Sequence, residues 1–176
     1  MPYHVLDLNP VTHITVGTVG PPGRRTFFLQ GSQGKRLVSL IIEKEHAFAL
    51  AVGIQELLER LAKERDPEEW TEGAVDLELK EPLDMEYRVS KLGLGYDERT
   101  DRIVILAEAS RRREEGNDEE DVLVVRFWGT RRQMAALSEH ALKVVAAGRP
   151  TCPLCGNPID PEGHFCPRRN GHASTL

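Results

Sequence analysis

The sequence predicts an α+β fold: a mainly antiparallel sheet with helices on one of its faces, followed by a small metal-held tail. Three observations indicate this class. Short runs rich in β-branched and aromatic residues are separated by turn residues, two longer stretches carry apolar residues at helical spacing, and every cysteine lies between Cys152 and Cys166. With 176 residues, the chain is long enough for one domain and a short appendage.

The first half of the chain is predicted to form three strands and a helix. After a turn-rich lead, the strands correspond to ITVGTVG, RTFFLQ and KRLVSLIIEK, which form a meander. From Glu45 onward, apolar residues recur every three or four positions as far as Leu61. This spacing predicts an amphipathic helix that ends near Arg65, before the Asp66-Pro67 pair.

The same order of elements recurs in the second half. An acidic connection after Asp66 is expected to carry one short strand; two strands follow within YRVSKLGLGYDERTDRIVILAEAS and a third is DVLVVRFWG. A second helix begins after Thr130, which stands in capping-box spacing with Gln133, and it closes at Gly148. We therefore predict an internal βββα duplication, with the loop RRREEGNDEED inserted in the second copy.

The predicted domains are a core of residues 1–148 and a tail of residues 149–176. The tail offers only Leu154, Ile159 and Phe165 as sizeable apolar groups. Burial of so few groups does not offset the conformational entropy lost on ordering the segment. A metal is the expected source of the missing free energy.

Charge and hydropathy narrow the class of protein. The N-terminus lacks a basic segment followed by an apolar one, and the longest apolar run, AFALAVGI, is far shorter than the ~18 residues of a membrane span. We therefore expect a cytoplasmic protein that does not bind membranes. A net charge of −5 also disfavours binding to the phosphates of nucleic acids.

The tail has the spacing of a zinc site. Cys152 and Cys155 form a CxxC knuckle followed by glycine, and Cys166 opens what resembles a second knuckle. Because the second knuckle lacks its other cysteine, the fourth ligand must come from elsewhere, and two histidines qualify. His164 is favoured because it lies two residues before Cys166, and on an extended segment side chains two residues apart face the same way. His172 is the alternative. Three thiolates and one imidazole close the shell, which is typical of a structural zinc.

Four stretches together resemble a known family. They are GTVGPPGRRTFFLQ, SLIIEKEHAFAL, RFWGTRRQMAAL and RPTCPLCGNPIDPEGHFCPRRNGH, and they are similar to an uncharacterised bacterial family, the domain of unknown function numbered three thousand and ninety. The resemblance covers nearly the whole chain. It implies a cytoplasmic bacterial protein with a C-terminal zinc-type knuckle, and it carries over no activity and no catalytic residues.

The favoured function is that of a zinc-binding module that binds another protein without catalysing a reaction. The tail would present Arg168, Arg169 and Asn170 beside the metal. No nucleophile elbow, HExxH motif or dinucleotide fingerprint is found, so whether the protein is an enzyme stays open, with the balance against it.

Two alternatives remain. The first is a single-stranded nucleic-acid-binding protein, in which exposed aromatic side chains stack on bases; the candidates are Phe27, Phe28, Phe127 and Trp128. The second is an enzyme with a site at the strand-to-helix junction Glu43–His46, for which Gln30, Glu43 and Lys44 are the residues to test.

Overall fold

The computed structural model describes residues 3–68, 74–112, 120–147, 152–155, 164–166 and 173–174. Seven of the described strands form one sheet, and they are β1 (Tyr3–Leu8), β2 (His13–Val19), β3 (Thr26–Gln33), β4 (Arg36–Ile42), β5 (Arg88–Asp97), β6 (Arg102–Arg112) and β7 (Glu120–Gly129). The two helices are α1 (Lys44–Glu64) and α2 (Arg131–Ala146). In the tail, β8 (His164–Phe165) pairs with β9 (Ala173–Ser174).

The sheet is mixed, which corrects the prediction of a mainly antiparallel one. Its strand order is β1-β7-β6-β5-β4-β3-β2. Consecutive strands pair antiparallel within each meander, but β1 runs parallel to β7 and β4 runs parallel to β5. The parallel pairs join segments that are distant in the chain, so no local turn signal marks them. The α+β class itself is confirmed.

Strand β1 was not predicted. Its sequence, YHVLDL, was interpreted as part of a turn-rich lead, and most of its side chains are exposed. The strand forms because β7 offers it a partner: the Arg126 guanidinium donates to the Asp7 carboxylate at 2.6 Å across 119 positions of the chain. Conversely, the strand expected in the acidic connection is absent from its described part, residues 74–87.

Both predicted helices are confirmed, and their apolar stripes join one core with the sheet. In α1 the buried residues are Ala47, Leu50, Ala51, Ile54, Leu57 and Leu61. In α2 the predicted capping box is present: the Thr130 hydroxyl accepts from the Gln133 N–H at 3.1 Å, and the Gln133 side chain accepts from the Thr130 N–H at 2.9 Å. No helix among the described residues is both long and apolar enough to span a membrane.

The element order β-β-β-α occurs twice, as β2–β4 with α1 and as β5–β7 with α2. Repetition of order agrees with the predicted duplication, but it does not demonstrate a common origin, so the duplication stays a prediction. Most of the inserted loop, residues 113–119, lies outside the described residues. The division into residues 1–148 and 149–176 also stays a prediction.

The connection between the two halves crosses the polar face of β2 and β3. The Gln30 amide pairs with the backbone of Lys80, donating to its carbonyl and accepting from its N–H, both at 2.7 Å. Beside it, the Thr15 hydroxyl donates to the Leu77 carbonyl at 2.5 Å. These bonds explain why Thr15 and Gln30 are polar yet fully buried: each satisfies a backbone group of the crossing segment.

Candidate metal centre

The three cysteines of the chain converge. Their sulfur atoms all lie within 4.8 Å of one another, although Cys166 follows β8 and the other two lie in the turn at residues 152–155. Cys152 and Cys166 are buried, and Cys155 is partly buried beside them. The small cluster therefore replaces the apolar core that the tail lacks.

The spacing of the sulfurs fits a tetrahedral metal ion. The Sγ atoms of Cys152 and Cys166 are 3.9 Å apart, far beyond the ~2.05 Å of a disulfide bond. Around a zinc ion with metal–sulfur distances of about 2.3 Å, two sulfurs at the tetrahedral angle lie about 3.8 Å apart. None of the three cysteines forms a disulfide. The donor set and its dimensions thus suit a metal.

The turn also favours the charged form of one thiol. The pKa of Cys152 is lowered to about 6, chiefly because the Cys155 backbone N–H points at its sulfur. Burial acts against this shift, whereas the Leu154 N–H and the two neighbouring sulfurs reinforce it. Thiolate is the form that ligates metals, so the local backbone prepares the site for a cation.

The predicted fourth ligand is only partly visible. The backbone of His164 forms the first residue of β8, opposite Ser174, and its side chain lies outside what the structure describes. His172, the alternative ligand, also lies outside the described residues, as do Arg168, Arg169 and Asn170. The choice of His164 depends on an extended backbone immediately before Cys166, and β8 has that conformation.

The residues proposed for an enzyme site do not come together. Gln30 is opposite Ser39 in the sheet, four positions before Glu43, which corresponds to roughly 13 Å along the strand. Glu43 precedes α1, where its N–H donates to His46 Nδ1 at 3.1 Å and its carboxylate pairs with Arg88 at 2.6 Å. The contact between Glu43 and His46 gives these two residues a role in starting α1. Lys44 is exposed.

The aromatic residues proposed to stack on bases are largely inaccessible. Phe28 and Phe127 are fully buried, and Phe27 is 7% exposed. Trp128 is half-buried, and its indole N–H donates to the Asp7 carboxylate at 3.2 Å. The sheet therefore offers no stacking platform at these positions, because the side chains belong to the core or to the β1–β7 pairing.

Comparison with protein families supports the resemblance. A family model described as "Protein of unknown function (DUF3090)" matches residues 6–166. The chain belongs to this family. The matched residues contain both helices, all three cysteines and the whole seven-stranded sheet except the first residues of β1. No curated protein and no solved structure matched the chain.

One polar site was missed from the sequence. At the C-terminal end of α1, an open cavity of about 1080 Å³ is lined mainly by charged residues of α1, of the segment that follows it and of the turn between β5 and β6, together with Tyr96 of β5 and Arg131 of α2. Within it, the Tyr96 hydroxyl donates to Asp101 at 2.5 Å, and Arg131 donates to the same carboxylate at 2.8 Å. Burial and this hydrogen bond raise the pKa of Tyr96 to about 12. No motif signals this group, because its members come from separate elements.

Proposed function

We propose that the chain is a zinc-stabilised interaction module, in which Cys152, Cys155, Cys166 and His164 hold one structural zinc ion and the tail binds a protein partner. The observation that carries the proposal is the convergence of the three sulfurs, with a 3.9 Å edge between two of them. Structural zinc supplies roughly 10 kcal/mol or more of folding free energy to small segments. A segment without an apolar core needs such a contribution.

The choice of ligands favours a structural ion. Three thiolates and one imidazole fill a tetrahedral shell, so no open position remains for a substrate or a reactive water. His164 is preferred to His172 because it lies on β8, two residues before Cys166. It also lies within the residues matched by the family model, whereas His172 lies beyond them. A reducing compartment such as the cytoplasm keeps these thiols available for metal.

An exposed apolar side chain beside the cluster supports a protein partner. Leu154 lies between two of the cysteines and is 45% exposed. A metal-held turn gives such a side chain a defined position at little entropic cost on binding. Arg168, Arg169 and Asn170 follow Cys166 in the chain and would add polar contacts around it. The net charge of −5 makes nucleic acid the less favoured partner.

The metal is tested on full-length protein purified without chelator. We expect one equivalent of zinc, loss of binding in Cys155→Ser, and at least tenfold weaker binding in His164→Ala. His172→Ala is the matched control and should bind as the wild type does. Zinc content below about half an equivalent in the wild type would contradict the site, and weakening by His172→Ala alone would move the fourth ligand to His172.

The partner is tested by affinity purification with three full-length forms: wild type, Cys155→Ser and Leu154→Asp. We expect one protein to be enriched by the wild type and lost with both variants. Because Leu154→Asp leaves all ligands in place, it should retain zinc while losing the partner. A partner held equally by the three forms would show that the tail is not the recognition surface.

A further inference from the structure

Strand β1 forms an open edge of the sheet. It stands at one end of the strand order and pairs with β7 alone among the described strands. A strand with one partner turns alternate backbone N–H and C=O groups away from that partner. Within the described part of the chain, no hydrogen bond outside the β1–β7 ladder reaches the backbone of residues 3–7. These five residues are the β1 edge; after them Leu8 is buried, and the Asn9 carbonyl accepts from the Gln33 side chain at 3.0 Å.

The β1 edge lacks the usual protection of an outer strand. At the opposite end of the sheet, β2 is covered, since its first five residues are buried and α2 packs against it. In β1, by contrast, Tyr3, His4 and Val5 are exposed on both faces of the sheet, to 62% for Tyr3 and 51% for Val5. Lysine, proline, bulges and covering elements are the common devices that keep edges apart. The β1 edge contains no lysine, proline or bulge, so it is open to another strand.

The side chains of the β1 edge divide into an apolar part and a neutralised charge. Because successive side chains of a strand point to opposite faces, Tyr3, Val5 and Asp7 share one face, whereas Leu6 lies on the other and packs on the core. The Asp7 carboxylate accepts from the Arg126 guanidinium at 2.6 Å, so its charge is offset within its own chain. This face is therefore apolar at the N-terminal end of the edge and electrically balanced at the other.

We propose that the chain forms a homodimer in which the β1 edges of two copies pair antiparallel, about a two-fold axis that passes through Val5 perpendicular to the sheet. The two sheets become one, and the helices of both copies stay on the same face of it. Val5 lies opposite Val5 of the partner subunit, and Tyr3 lies opposite Asp7 of the partner subunit. Both copies use the same surface, as in most two-fold dimers.

The sequence of the β1 edge selects a second copy in this register. Residues directly opposite in an antiparallel pair point to the same face, and aromatic side chains also reach the diagonal neighbour. Centring on Val5 therefore places Tyr3 against the partner's Val5, so the exposed apolar side chains cover one another and no like charges meet. Centring on His4 would leave Asp7 unpaired, and centring on Leu6 would place Val5 opposite a carboxylate. The edge is complementary to its own copy.

The contact is small, so we expect a dimer that dissociates on dilution. Five residues of each copy take part, and interfaces that bury less than about 1,200 Å² are typical of transient complexes. Backbone hydrogen bonds between the two edges supply much of the affinity, as in other cases of strand addition. The β1 edge does not include the cysteine cluster, so the inference does not rest on the zinc site.

Sedimentation velocity of the full-length protein at concentrations from about 1 to 500 µM tests the dimer. Val5→Lys places two ammonium groups opposite each other at the axis and should weaken the dimer by about tenfold or more. Val19→Lys is the matched control, because Val19 is also an exposed valine, at 48%, at the end of the other outer strand, and it should dimerise as the wild type does. Circular dichroism confirms that each variant is folded.

A second pair of variants tests the register even if Val5→Lys disturbs β1. Opposite Asp7 of the partner subunit, Tyr3→Lys should dimerise roughly tenfold more tightly than Tyr3→Glu; Val19→Lys and Val19→Glu measure the part due to net charge alone. Amide hydrogen exchange in β1 should slow as the protein concentration rises. A monomer at every concentration, equal dimerisation of the two Tyr3 variants after the net-charge correction, a dimer unaffected by Val5→Lys, or a dimer lost in Cys155→Ser would each overturn the proposal.

Discussion

Replacing Gln30 by leucine should detach the connection between the two halves of the chain. The Gln30 side chain is fully buried and makes three hydrogen bonds: two with the Lys80 backbone at 2.7 Å and one with the Ser39 hydroxyl at 3.0 Å. Leucine has a similar size but no polar atoms, so Gln30→Leu removes all three bonds without leaving a large cavity.

The expected loss in the free energy of unfolding follows from the polar groups of Ser39 and Lys80 that lose their partner. A typical hydrogen bond contributes a net 0.5–1.5 kcal/mol, and a buried group left unpaired costs about 1–3 kcal/mol. Ser39 is 3% exposed and loses its partner, whereas water reaches the exposed residue Lys80 and partly compensates there. We therefore expect the free energy of unfolding to fall by about 2–3 kcal/mol.

Urea denaturation followed by circular dichroism measures this loss, with Gln33→Leu as the control. Gln33 lies on the same strand, but its side chain donates to the Asn9 carbonyl at 3.0 Å on the surface, so its replacement should cost less than about 1 kcal/mol. The Lys80 amide should also exchange faster in Gln30→Leu. Equal stability of the two variants, or unchanged exchange at Lys80, would refute the role assigned to Gln30.

Other changes test the helix cap and the buried histidine. Thr130→Ala should lower the free energy of unfolding by about 1 kcal/mol, since it removes the cap of α2, and Thr130→Ser should restore it; equal urea midpoints would contradict this. His13 donates from Nε2 to the Glu78 carbonyl at 2.8 Å, and burial lowers its pKa below 6.5. At pH values between the folded and unfolded pKa values, His13 is protonated in the unfolded chain but neutral in the folded protein. The stability that neutral His13 contributes is therefore complete above about pH 6.5 and is lost as the pH falls through the folded pKa. Urea titrations at about pH 7.5 and 5.5 should therefore show a smaller loss for His13→Gln than for the wild type; equal losses would contradict it.

The regular elements of each half were predictable because their signals are local. The apolar stripe from Ala47 to Leu61 and the Thr130–Gln133 capping box depend on residues within a few turns of one helix. The strands of each meander are marked by alternating residues and by the turns between them. The cysteine cluster was likewise visible, because three thiols within a segment too polar to form a core have few other uses.

Tertiary structure decided everything that depends on partners far apart in the chain. Strand β1 exists because it pairs with β7, and a six-residue run that is mostly exposed carries no pattern of its own. Gln30 looked like a candidate for catalysis, yet its partner is the Lys80 backbone, fifty positions away. Strands β4 and β5 join the two halves of the chain through one parallel residue pair, Ile41 with Arg88, which are 47 positions apart. Periodicity shows which side of an element is buried, whereas pairing over long distances decides what that side contacts.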